Sequence, residues 1–290
     1  MSSNFHLSTG WAIALGASSI FAIIYPLALA FAANRKLAVS WRYFGFGVLI
    51  FGIFQVVTRV PIVQIVGNAY HAQIAASPAL TYGWLAVLVV SAALFEEVGR
   101  YLGYRWFMRR EDKTWAKAVM YGLGHGGLES ILLVGLGGLA SLLNIMLLST
   151  MSLTALPAAQ RQVVAEQLHA IANQPGWYPL LGGWERLWTV PVQVALSVLV
   201  VQVFRRGNIG WLWVAIGAHM LVDGVAVAVP QIFKSSGWDS VAISLLIEGI
   251  VAVFGLCAIW IIWALRDRQQ QTAAPAGPVT PTAAPGVPHP

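Results

Sequence analysis

The sequence predicts an all-α membrane protein, a bundle of about seven transmembrane helices. Hydrophobic residues make up 58% of the 290 residues and charged residues only 10%, against about 25% charged in an ordinary soluble domain. Apolar stretches long enough to cross a hydrocarbon core of about 30 Å recur along the chain. We place the spans at 10–33, 43–67, 82–104, 116–139, 179–204, 210–230 and 239–264.

The charges of the connecting loops alternate and predict how the chain is oriented. Lys and Arg cluster after the first, third, fifth and seventh spans, whereas the loops after the other spans carry one or none. The positive-inside rule then places the N-terminus outside the cell membrane and the C-terminus in the cytoplasm. The net charge of +6 follows from this topology. We expect a lipid bilayer and no nucleic acid as partner, because the basic residues form no single face.

The remaining segments predict little further structure. The first span is not preceded by Lys or Arg, so we expect a retained helix and not a cleavable signal peptide. The segment Leu156–Gln174 has helical spacing of apolar residues and is predicted to lie at the membrane surface. Residues 1–270 would form the transmembrane domain and the Pro- and Ala-rich residues 271–290 a disordered tail. A single cysteine, Cys257, cannot form an intrachain disulfide.

Ionisable residues inside the predicted spans are expensive and indicate function. Three pairs lie one helical turn apart, on one helix face each. They are Glu96/Arg100, His125/Glu129 and His219/Asp223. A carboxylate one turn from a histidine can orient its ring, and an arginine near a glutamate stabilises the charged form. Glu97 follows Glu96 at about 100° around the helix, so we expect at most one of them to face a site.

The depth of three of these residues agrees. Glu96, His125 and His219 lie nine, eight and thirteen residues from the basic residues that flank their spans, or about 14, 12 and at most 20 Å along a helix. Two histidines and a glutamate at one level could ligate zinc in an open site, or deprotonate a water directly. Both chemistries are hydrolytic. The candidate zinc ligands are Glu96, His125, Glu129, His219 and Asp223.

Other polar or small residues in the spans have structural explanations. Glycines 122, 124, 126 and 127 around His125 would let another helix or a substrate approach closely. We interpret Glu185 and Arg186 as a structural ion pair near the outer end of the fifth span. Glu248 is expected to pack or pair between helices, and Arg59 to extend to the outer membrane interface.

From Trp84 to Val225 the sequence resembles the YhfC-like membrane peptidases, relatives of the CAAX-type and bacteriocin-processing intramembrane proteases. The CAAX-type pattern is a double glutamate followed by arginine, an aromatic residue four before a histidine, and a histidine followed four residues later by Asn or Asp. Three matching stretches occur in order. They are Glu96-Glu97…Arg100, Tyr121…His125 and His219…Asp223. The arginine comes one residue earlier than is common, Tyr121 stands for the usual Phe, and Asp223 for the more usual Asn.

This resemblance implies an intramembrane endopeptidase acting on a membrane-embedded peptide or protein. Glu96 would be the general base, with Glu97 as the second acidic position. His125 and His219 would bind the water, a zinc ion or the oxyanion. Two residues would have supporting roles, Asp223 toward His219 and Arg100 toward a glutamate.

Two functions of other classes stay open at this point. Intramembrane Glu, His and Asp residues also carry protons and ions in transporters, although we find no inverted repeat of the kind many transporters have. A membrane scaffold without catalytic activity would use the same residues as packing pairs. Three results would separate the hypotheses: loss of hydrolysis in Glu96, His125 and His219 variants, ion flux that depends on Glu97 or Glu129, or loss of folding alone in the histidine variants.

Overall fold

The structure is a computed structural model that describes residues 7–151 and 156–267. The predicted tail, 271–290, lies outside these residues. The described chain forms nine helices. These are α1 (Thr9–Leu37), α2 (Arg42–Ala69), α3 (His71–Ala76), α4 (Pro78–Phe107), α5 (Trp115–Thr150), α6 (Ala158–Ala172), α7 (Leu180–Arg206), α8 (Gly210–Ser235) and α9 (Ser240–Ala264).

Seven of the helices are long and apolar enough to span a membrane, which confirms the predicted class and number of spans. They are α1, α2, α4, α5, α7, α8 and α9. The main difference is in α5, which continues to Thr150, beyond the predicted end at residue 139. The short helix α3 lies in a segment that we expected to be a loop. Helix α6 packs Leu168 against Trp11 of α1 and Ile145 of α5.

The basic loops meet at one end of the bundle, which we call the basic end. There the Trp115 indole donates to the Ile262 carbonyl at 2.8 Å, and the Tyr43 hydroxyl donates to Glu111 Oε2 at 2.5 Å. The hydrogen bond from Tyr43, reinforced by Lys117, lowers the pKa of the Glu111 carboxyl. The loops rich in Lys and Arg thus lie together at one end of the bundle. That this end faces the cytoplasm stays a prediction.

Helix α7 lies at the centre of the bundle and contacts five other membrane-spanning helices. Its residues 192–203 are all buried, as expected for a helix that is surrounded by others. Close packing of α5 depends on glycine. A Cβ on Gly122 would lie 2.6 Å from Val194 Cα of α7, and one on Gly124 would overlap the Phe44 carbonyl of α2. The predicted close approach around His125 is therefore confirmed.

The half of the bundle away from the basic end is less tightly packed. The buried residues of α8 end at His219, and none of residues 220–235 is buried. A groove of about 610 Å³ runs between α4 and α8 here, and Val89, Met220 and Gly224 contribute to its mainly apolar lining. The last buried residue of α8 thus lies at the boundary between a packed half and an open half.

A π-helical segment, Gly52–Arg59, interrupts α2. On an uninterrupted α-helix Arg59 would lie about 135° from the mean direction of the buried positions Tyr43, Gly47, Ile50 and Phe51, since each residue turns by about 100°. The wider π turns rotate the chain less per residue. Arg59 therefore returns to the buried face, where it is 9% exposed. The expectation that Arg59 extends to the membrane interface was wrong.

Candidate active site

Glu96 and Glu97 are both buried in α4, with 4% and 0% exposure. Each meets one of the two histidines. Glu96 Oε2 lies 3.0 Å from His125 Nε2 of α5, and Glu97 Oε1 lies 2.7 Å from His219 Nδ1 of α8. The expectation that at most one glutamate would face the site was wrong, because the histidines approach α4 from two different helices. The result is two buried Glu–His pairs side by side.

Arg100 is fully buried between the two pairs. It donates from Nη1 to Glu97 Oε1, and its Nη2 lies 3.6 Å from Glu96 Oε2. Arg100 therefore pairs more closely with Glu97, three residues earlier, than with Glu96, its i,i+4 partner. A single guanidinium compensates the negative charge of both carboxylates, as a buried anion requires.

Asp223 lies beyond His219 on the same helix. Its Oδ2 is 3.5 Å from His219 Nε2, which is longer than an ordinary hydrogen bond. The Asp223 side chain is 35% exposed, in contrast to His219 at 5%. Asp223 thus connects the buried pairs with the open half of the bundle.

Aromatic side chains enclose the histidine of α5. The Phe51 ring meets the His125 ring edge-on at a centroid distance of 5.0 Å. Tyr121, one turn before His125, stacks on Tyr104 of α4 at 4.6 Å. All four side chains are at most 2% exposed. They exclude bulk water from the basic side of the site and so strengthen the electrostatic interactions in it.

Glu129 does not contact His125, contrary to the role in orienting the ring that its spacing predicted. Its Oε1 accepts from Arg186 Nη1 at 3.0 Å, and its Oε2 accepts from Gln193 Nε2 at 2.6 Å. Arg186 also contacts Glu185, the ion pair expected between these neighbours. Helix α7 therefore supplies the partners of Glu129, because it packs directly against α5.

Gln193 is a site residue that the sequence reasoning missed. It is 7% exposed and accepts a hydrogen bond from Arg100 Nη2 while donating to Glu129. It therefore joins the central arginine to the Glu129–Arg186 pair. The available signal was an amide in the apolar stretch of α7, seven residues after Arg186 and so two turns away on the same face.

Glu248 stays apart from the two Glu–His pairs. It lies on α9, and its backbone carbonyl accepts from the Trp184 indole at 3.4 Å. Its Oε2 is buried without a hydrogen-bond partner among the described residues. This position on α9 agrees with the interpretation of Glu248 as a residue between helices.

The metal ligands predicted from sequence do not form a complete zinc site in this arrangement: no three His, Cys, Asp or Glu side chains of the described residues form a group that could hold a metal ion. Histidine and carboxylate side chains are nevertheless ligands that zinc uses. Glu96 Oε2 and His125 Nε2, at 3.0 Å, are close to the roughly 3.3 Å between two ligands of a tetrahedral zinc. His219 binds Glu97 through Nδ1, as metal-binding histidines bind an orienting carboxylate.

The seven apolar helices and the buried pairs define a polytopic membrane protein with an ionisable site inside the bundle. The family model described as YhfC intramembrane metalloprotease matches residues 20–251. The chain therefore belongs to this family, which confirms the resemblance to the YhfC-like family. An "Uncharacterized membrane protein YhfC" from Bacillus subtilis (strain 168) is 30% identical over 262 residues, 88% of this chain and 96% of that protein. No solved structure matches the chain.

Proposed function

We propose that this protein is an intramembrane endopeptidase. The observation that carries the proposal is the arrangement of two buried Glu–His pairs around one arginine, within the spans of a membrane protein. The family description, intramembrane metalloprotease, supports the same class of activity. Such a site could reach a peptide bond that is embedded in the membrane. A soluble peptidase could not reach this bond.

In this proposal Glu96 is the general base. It would take a proton from a water whose oxygen attacks the peptide carbonyl carbon, while the C–N bond breaks and the amine nitrogen leaves with a proton. His125, at 3.0 Å from Glu96, lies where it would hydrogen-bond the same water or the developing oxyanion. Burial of both residues keeps the reacting groups in surroundings of low dielectric.

Glu97 and Arg100 would support His219. Glu97 accepts from His219 Nδ1 at 2.7 Å, which fixes the tautomer with Nε2 as the free nitrogen. Arg100 holds Glu97 in its charged form, and Gln193 holds Arg100. When bound, zinc would be held by Glu96, His125 and His219 with Asp223 beside them. Glu96 would then be a ligand instead of the base, and zinc would supply a more acidic water and a Lewis acid for the carbonyl.

The groove between α4 and α8 supports the choice of a membrane-embedded substrate. Its apolar lining includes Val89 of α4, seven residues before Glu96, and Gly224, next to Asp223. A substrate entering from the hydrocarbon region would therefore follow α4 and α8 toward the two Glu–His pairs. It would not need to cross the closely packed half of the bundle near the basic end.

Cleavage by the reconstituted full chain tests the proposal. The substrate is an internally quenched transmembrane peptide in proteoliposomes. We expect Glu96→Gln and His125→Ala to abolish cleavage, and Glu248→Gln, an intramembrane carboxylate outside the pairs, to retain it. Full cleavage by both site variants would refute the proposal.

Metal analysis of the same preparations tests the zinc hypothesis. We expect one zinc per chain by mass spectrometry after purification without chelator, and its loss in the folded His125→Ala/His219→Ala variant. Equal zinc in the two proteins would place the metal elsewhere.

A proton-coupled transporter is the second candidate. The observation in its favour is the partly buried carboxylate of Glu129 within a polar network with Gln193 and Arg186, because intramembrane carboxylates also carry protons in pumps and transporters. Proton flux into proteoliposomes that depends on Glu129, without any peptide cleavage, would favour this function over hydrolysis.

A further inference from the structure

Arg59 is a buried cation whose hydrogen-bond partners are all neutral. Its Nε donates to Ser91 Oγ at 3.0 Å, its Nη2 to the Leu88 carbonyl at 2.5 Å, and its Nη1 to Gln55 Oε1 at 3.3 Å. Within the described residues no carboxylate comes within salt-bridge distance of this guanidinium. Three of its five N–H donors suffice for these bonds.

The other arginines in the interior of the described spans are paired. Arg100 contacts two glutamates, and so does Arg186. An uncompensated charge in the hydrocarbon region costs several kcal/mol. The π segment turns Arg59 inward, away from lipid. We therefore expect the charge of Arg59 to have a function in the interior of the bundle.

Arg59 is tied to the helix that carries the two glutamates through its hydrogen bond to Ser91 of α4. Along α4, its partner Ser91 precedes Glu96 by five residues, or about 7.5 Å. The guanidinium is thus offset from the Glu96–His125 pair toward the open half, by about the length of two or three residues of an extended peptide.

We propose that Arg59 forms a subsite for a carboxylate of the substrate, two or three residues from the bond that is cleaved. The ligand is a membrane-embedded peptide that carries either an acidic side chain or a free C-terminal carboxylate at this distance. The proposal rests on the peptidase function and adds a specificity to it. A planar guanidinium with two remaining donors suits bidentate binding of a carboxylate.

Peptide binding to the full-length protein in detergent tests the subsite. The protein carries His125→Ala, which blocks cleavage in the proposed mechanism and leaves every carboxylate of the site in place. The probes are apolar Leu/Ala peptides with one Asp or, as the uncharged isostere, one Asn, each with an amidated C-terminus. A third probe has no Asp but a free C-terminal carboxylate. Affinity is followed as the concentration-dependent rise in melting temperature.

We expect the Asp peptide, the free-carboxylate peptide or both to bind roughly tenfold more tightly than the neutral peptide. Whichever gains affinity identifies the source of the carboxylate. Arg59→Gln should reduce this ratio to about one, whereas Arg59→Lys should keep part of it because the charge remains. Arg161→Gln, an exposed arginine at the same end of the bundle, should leave the ratio unchanged.

Three results would overturn the proposal: binding of no peptide, equal binding of charged and neutral peptides, or a preference that survives in a folded Arg59→Gln variant. If Arg59→Gln does not fold, an undiminished preference in Arg59→Lys overturns it equally. Because the readout is binding, the subsite can fail while neutral peptides are still cleaved. Conversely, carboxylate binding without cleavage by the wild type would refute the peptidase function alone.

Discussion

Replacing Glu97 by glutamine tests the ion pair at the centre of the bundle. The substitution keeps the shape of the side chain and removes its charge. Glu97 and Arg100 are both 0% exposed, so the charge left on Arg100 cannot be solvated by water. We therefore expect a large loss of stability from a change of very few atoms.

The structure allows the size of this loss to be worked out. Removing one partner of a buried ion pair costs about 3–5 kcal/mol. The loss should fall at the lower end, about 3 kcal/mol, because Glu96 Oε2 remains 3.6 Å from Arg100 Nη2. At that distance two unit charges attract each other by about 4–5 kcal/mol at an effective dielectric constant of about 20. Arg100→Gln should cost more, about 5 kcal/mol, since two carboxylates then lack their cation.

The assay is reversible unfolding in mixed detergent micelles, followed by circular dichroism, for both single variants and the double variant. We expect the double variant to be more stable than the sum of the single losses predicts, by about 2–3 kcal/mol. Glu248→Gln, which lacks an arginine partner among the described residues, serves as a control and should change stability by less than about 1 kcal/mol.

Additive losses would refute this reasoning. If the single losses of Glu97→Gln and Arg100→Gln sum to that of the double variant within about 0.5 kcal/mol, the two side chains do not interact. The site would then lack the shared arginine on which the proposed mechanism depends.

Three further predictions concern packing, the polar connection and pH. Gly122→Ala should destabilise by about 1–3 kcal/mol, because a Cβ meets the α7 backbone at 2.6 Å, whereas Gly45→Ala, with no atom within 4 Å, should not destabilise in the same unfolding assay. Gln193→Leu should cost about 1–3 kcal/mol, and it should lower the rate of peptide cleavage more than the affinity for the peptide, which single-turnover kinetics would show. The lowered pKa of the Glu111 carboxyl stabilises the fold above the ordinary carboxyl pKa of about 4.3. The melting temperature of the wild type should therefore exceed that of Glu111→Gln by less and less as pH falls below this value. A difference in melting temperature that does not depend on pH would contradict the prediction.

Local sequence patterns were enough to predict the spans and the level of the site. Hydropathy identifies a membrane helix because every residue of the segment contributes to it, and the depth of a histidine follows from counting residues. The same counting identified Glu96, His125 and His219 as members of one level, and the structure brings Glu96 within 3.0 Å of His125. Their roles in hydrolysis stay predictions.

The partners across helices could not be predicted in this way. Glu129 is one turn from His125, yet it binds Arg186 and Gln193 because α7 is the helix that packs against that face of α5. Which helices are neighbours depends on the whole bundle and leaves no mark at a single residue. Arg59 was misplaced for a different reason: the prediction rested on its place near the outer side of the span, and a π segment turns it toward the buried face instead.

The uneven burial of the bundle has a consequence for local unfolding. The free energy of opening a helix locally depends on the apolar contacts that opening breaks. Amide hydrogens of residues 192–203 in α7, which are all buried, should exchange with solvent only when the whole protein unfolds. Those of α8 beyond His219, where no residue is buried, should exchange through small local openings. The site lies at the border between these two regimes, because His219 belongs to α8, whereas His125 belongs to α5, which packs against α7.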